Sequence, residues 1–66
     1  MKVGEIWEPI REHIGDVEIR GINWREDKRE YYIFCVFVDA RNFELTFNRN
    51  TFLREFTRRK DYERAN

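Results

Sequence analysis

The sequence predicts a small, mostly β protein: a curled antiparallel meander with one short C-terminal helix. Three observations predict it. Apolar and polar residues alternate in DVEIRGINW and again in FELTFN, as in strands with one face in a core. Between them lies YYIFCVFV, Tyr31 to Val38, eight residues without a charge in a chain of which 39% is charged. Only later does the spacing turn helical, with Phe52, Leu53 and Phe56 on one face.

The elements follow in order. KVGEIWEPI has a short strand pattern in Val3, Ile6 and Trp7, stopped by Pro9, and REHIG reads as a connection. In the next strand Val17 and Ile19 share one side, with Glu18 and Arg20 on the other. The phase slips at Gly21 and resumes with Ile22 and Trp24, the mark of a β-bulge or a sharp bend. REDKRE, Arg25 to Glu30, is six consecutive charges and reads as a solvated hairpin loop. After the uncharged strand, DARN (Asp39 to Asn42) reads as a turn. FELTFN then places Phe43, Leu45 and Phe47 inward and Glu44, Thr46 and Asn48 outward. Asn50 or Thr51 is the expected helix cap, and Glu55 precedes Arg59 by four residues, the favourable order for a helical ion pair. Residues 1–56 thus form one small β domain, and 57–66 a charged helical extension or tail. The chain opens with Met1 and reads as a complete small protein.

Sixty-six residues bury only about 60% of the surface the unfolded chain exposes, so the margin of stability is thin. An internal disulfide is excluded, because Cys35 is the only cysteine. Cys35 and His13 are too few soft ligands for a structural zinc site, which wants four. Packing and self-association remain as the means of support. Six Phe, two Trp and three Tyr are more rings than one thin core hides, so part of the aromatic set is expected at the surface as docking anchors.

Thirteen basic residues balance thirteen acidic ones, which argues against indiscriminate nucleic-acid binding and against a strongly acidic DNA mimic. The eight-residue uncharged run is far short of the roughly 18 to 20 residues a bilayer span needs, so no membrane role is expected. A free cysteine without a secretory segment points to a reducing, cytoplasmic setting. The uncharged strand also poses a structural question, since Tyr31 and Tyr32 point to opposite faces and both faces are apolar. One face belongs inside the meander. The other is expected to lie under the C-terminal helix, a second copy or a partner.

The opening VGEIW, the curled central strands and the later FLREF resemble small SH3-like β-barrel proteins of phages and bacteria. Several of those start with a Val-Gly-x-x-Trp strand and carry a Phe-Leu-x-x-Phe turn near the end. The resemblance implies an SH3-like small barrel and a binding module, without specifying the ligand. Such proteins usually add a final strand after that turn, where this chain has TRRKDYERAN.

Catalytic equipment is missing. Cys35 sits mid-strand among Phe34, Val36 and Phe37, where a thiol is inert, and His13 has only Glu12 or Asp16 to orient it. The carboxylate pairs Glu5/Glu8, Glu12/Asp16 and Glu26/Asp27 are interleaved with Arg and Lys, as on a solvated surface. Gly4, Gly15 and Gly21 are isolated and form no phosphate loop. No catalytic residue, metal or cofactor is therefore expected. The candidate binding residues are Trp7, Trp24, Tyr31 and Tyr32, together with Arg54, Arg58, Arg59, Lys60 and Tyr62. The leading reading is a non-enzymatic module that binds another protein, in its specific form a phage-encoded modulator of a host protein. The alternatives are a nucleic-acid-binding SH3-like domain using the C-terminal Arg/Lys cluster, and a self-associating homodimer.

Overall fold

A computed structural model describes residues 1–11 and 14–59. Five strands and one helix run in the order β1 (Ile6–Pro9), β2 (Val17–Arg25), β3 (Glu30–Phe37), β4 (Ala40–Asn48), α1 (Arg49–Glu55) and β5 (Phe56–Arg58). They build one antiparallel sheet in the spatial order β4-β3-β2-β1-β5. The fold is the mostly β, curled meander that the alternating segments predict. It is an open sheet, not a closed barrel, because β4 pairs only with β3 among the described residues.

Curling brings the two edges together. Phe47 of β4 and Phe56 of β5 belong to opposite edges, yet their rings meet edge-on at 5.5 Å. The bend falls where the phase slips. In β2 the register with β3 shifts between Ile19 and Gly21, so Arg20 is the extra residue of a bulge. Before it, Ile19 lies opposite Cys35; beyond it, Ile22 lies opposite Ile33. The bulge therefore keeps Ile19 and Ile22 on the same face despite their odd spacing.

That inner face is the core. Val17, Ile19, Ile33 and Cys35 are buried there with Trp7 of β1, Phe52 of α1 and Phe56. Phe52 stacks on Phe56 at 4.8 Å and meets Trp7 edge-on at 5.0 Å, which fixes the helix over the inner face. The helix starts two or three residues earlier than Asn50 or Thr51 suggested. Asn48 is the cap, and its side-chain oxygen accepts the Thr51 N–H at 2.8 Å. Leu53, expected to dock with Phe52, faces outward and is exposed.

The helix is not the end of the fold. Phe56 leaves it in extended conformation and the chain returns to the sheet as β5, with Thr57 opposite Glu8 and Arg58 opposite Trp7. The expected boundary at residue 56 therefore falls inside a strand, and the β structure runs on to Arg58. Arg59 lies beyond β5, outside helical reach of Glu55; it donates to Asp16 at 2.9 Å and approaches Glu8 at 3.5 Å. Residues 60–66 of the expected tail lie outside the described residues. The turn before β4 is also shorter than Asp39–Asn42. Phe37 pairs with Ala40 across Val38 and Asp39, and Arg41, Asn42 and Phe43 are extra residues before Glu44 meets Val36.

The helix does not cover the second face of the uncharged strand, because it sits on the first. On the outer face Val36 is buried although it lies outside the core cluster. Its neighbours in the sheet are Glu18 and Glu44, and Arg41 of β4 bonds Glu18 of β2 at 2.8 Å, spanning β3 at that level. Phe34 is half-buried beside Gly21, whose position lies in ordinary van der Waals range of the Phe34 side chain. Tyr32 lies under the Arg25 guanidinium, 5.5 Å from the ring centroid. Long charged side chains of this chain supply the cover at Val36 and Tyr32.

Candidate functional site

The β2–β3 hairpin outruns its cover. Inner-face positions alternate along β3 as Cys35, Ile33 and Tyr31, opposite Ile19, Ile22 and Trp24 of β2. The first pairs are roofed by Trp7, Phe52 and Phe56. The last pair is not: Trp24 is 48% exposed and Tyr31 46%. The molecule is elongated, 37 × 24 × 23 Å.

The two rings are held in place by short-range contacts. They meet edge-on at 5.0 Å as a cross-strand pair. The Trp24 indole N–H donates to Glu26 at 2.7 Å, so the ring is oriented from within its own turn. Arg25 grips Asp27 through two bonds of 3.2 and 3.1 Å. The hydrogen bond from Arg25 holds the Asp27 carboxyl below its ordinary value. Arg29 closes the turn with a positive φ of 51°. Beside the rings, Trp24, Tyr31, Arg29, Glu30, Arg49 and Asn50 line a recess of about 200 Å³. It joins Trp and Tyr rings to two guanidinium groups, the side-chain types that dominate binding energy at protein interfaces, beside the Glu30 carboxylate.

The remaining candidates have other places. Trp7 is core: it is buried, and its indole N–H donates to Glu5 at 3.2 Å. Tyr32 is half-buried on the opposite sheet face from Tyr31, with its hydroxyl 3.5 Å from Glu30. Arg54 donates to the Thr51 hydroxyl at 3.4 Å on the exposed side of α1. Arg58 bonds Glu5 at 3.1 Å, and Arg59 bonds Asp16. Instead of clustering on one helix, these two cations tie β5 and the chain beyond it back to the first third of the protein. Lys60, Tyr62 and His13 lie outside the described residues. Sequence reasoning missed Arg29 and Glu26, and placed Arg49 beside the C-terminal cations instead of at the hairpin tip. Their role depends on the hairpin tip facing the helix start, a contact that no local pattern encodes.

Two groups, half-buried Glu5 and buried Cys35, bear on chemistry. Burial alone would raise the Glu5 carboxyl, but hydrogen bonds from the Lys2 N–H, the Trp7 indole and Arg58 outweigh it and hold the group below its ordinary 4.5. Burial pushes the Cys35 thiol up to about 11, so no thiolate nucleophile is available at neutral pH. Among the described residues no cluster of His, Cys, Asp and Glu is placed to hold a metal, and no helix is long and apolar enough to cross a membrane.

Comparison with protein-family models, curated proteins and solved structures finds no match to this chain.

Proposed function

We propose that the protein is a non-enzymatic docking module that grips another protein through the Trp24–Tyr31 pair at the tip of the β2–β3 hairpin. One observation carries this reading: two large rings stand about half exposed on the same sheet face that forms the core, packed edge-on, with Trp24 oriented by Glu26 and the pair flanked by Arg29 and Arg49. Exposed aromatics that are already ordered lose little freedom on binding, which is why such residues serve as anchors. A phage-encoded modulator of a host protein, working in the cytoplasm, is the specific form of the proposal. It draws on the SH3-like sequence resemblance and on the free thiol of Cys35.

The test is affinity capture from cell extract with and without nuclease, comparing wild type with the double variant Trp24→Ala/Tyr31→Ala. A protein species held by wild type through 0.5 M salt and lost by the variant supports the reading. Retention by both rules out the tip as anchor. Capture that disappears on nuclease treatment would instead indicate a nucleic-acid partner.

A further inference from the structure

We propose that a second copy of this chain pairs antiparallel with β4 along its open edge, with Leu45 of each copy on the two-fold axis. The two sheet edges are protected unequally. β5 is three residues long, and Arg58 and the adjoining Arg59 are engaged with Glu5, Asp16 and Glu8. β4 is nine residues long, has no Pro or Lys, and forms its strand pairing only with β3 among the described residues. The charges of β4, Arg41 and Glu44, and its irregularity at Arg41–Phe43 fall in its first half, and the regular run that follows is a template for another strand.

The occupant is chosen by the register. Antiparallel pairing of identical strands places a two-fold axis perpendicular to the sheet, so facing residues share a sheet face and the axis falls on one residue. An axis on Glu44 sets that carboxylate against its own copy. An axis on Phe43 sets Arg41 against the partner's Leu45, and one on Thr46 leaves Phe43 opposite the partner's Arg49. With the axis on Leu45, Phe43 meets the partner's Phe47, Leu45 meets itself, and Glu44 meets the partner's Thr46. Every apolar residue of 43–47 then faces an apolar one, and the like-charge pairs of this register, Arg41 with the partner's Arg49, fall outside those five positions.

This register covers what the monomer leaves open. Phe43 is 60% exposed, and with Ile14, Phe37 and Ala40 it lines a recess of about 360 Å³ beside the edge. Pairing through 43–47 brings the second copy against that recess and adds side-chain burial to the new backbone bonds. The surface is separate from the hairpin tip, so either can fail alone.

Thr46 is exposed on the outer face, which makes it a register probe that leaves the core intact. Sedimentation velocity over micromolar to millimolar concentration is run on wild type and three variants. Thr46→Glu sets two like-charge pairs across the axis and is expected to weaken the dimer about tenfold. Thr46→Lys sets two opposite-charge pairs and strengthens it by a similar factor, and the swap Glu44→Lys/Thr46→Glu is expected to restore association. A monomeric wild type that stays monomeric with Thr46→Lys overturns the proposal. So does equal weakening by Thr46→Glu and Thr46→Lys, which would mean an edge contact in another register.

Discussion

The root and the tip of the β2–β3 hairpin present the same face of the same two strands, and both are apolar. At the root, Ile19 and Cys35 are sealed; at the tip, Trp24 and Tyr31 stand about half in water. Residue type does not make the difference, since the tip rings are larger than the root side chains. Cover does. Trp7, Phe52 and Phe56 roof the root, and their layer ends before Tyr31. Along one strand face, an apolar residue is core or free surface according to what the rest of the chain lays over it. Surplus that nothing covers is available for a partner.

The largest effect that would sharpen this comparison comes from removing the roof. Phe52→Ala is expected to cost about 3–5 kcal/mol, most of the stability of a domain this small, and to abolish a cooperative urea transition. A variant that still unfolds cooperatively near the wild-type midpoint would mean that the roof is not what separates root from tip. Loosening the roof more gently, Asn48→Ala removes the cap that starts α1 and should lower stability by about 1 kcal/mol in the same measurement.

Acid tests the tie between β5 and β1. The Glu5 carboxyl titrates lower in the folded chain than in the unfolded one. Its stabilising contribution is therefore complete above the ordinary 4.5 and is lost as pH falls through the folded value. Glu5→Gln should lower the melting temperature at pH 7 and remove part of the wild-type decline below pH 4.5, read by thermal unfolding across pH. An unchanged decline would place the acid sensitivity elsewhere. The smallest effect belongs to the tip, where Trp24→Ala gives up one edge-on ring contact and is expected to lower folding stability by about 0.5–1 kcal/mol.

Much of the fold was legible because period-two alternation survives wherever one strand face is buried. Val17/Ile19 and Leu45/Phe47 announced their strands, and the slip at Gly21 announced the bulge. Three features were not legible. β5 is only Phe56–Arg58, too short to alternate, and is held by pairing with β1 and by the Arg58–Glu5 bond across the length of the chain. The helix cap sits at Asn48, a residue that the strand pattern had already claimed for β4. The outer cover of Val36 comes from an ion pair between β2 and β4, and only the register brings Arg41 and Glu18 together. At the site, alternation alone put Tyr31 and Tyr32 on opposite faces. Choosing Tyr31 as the partner of Trp24 required knowing where the helix ends its cover.

Equilibrium urea unfolding of Trp24→Ala/Tyr31→Ala tests the division of the hairpin most directly. A midpoint and slope giving stability within about 1 kcal/mol of wild type is the expected result, because the variant gives up only a surface ring pair. A loss of about 3 kcal/mol or more, on the scale of Phe52→Ala, would contradict it by showing that the tip rings belong to the core.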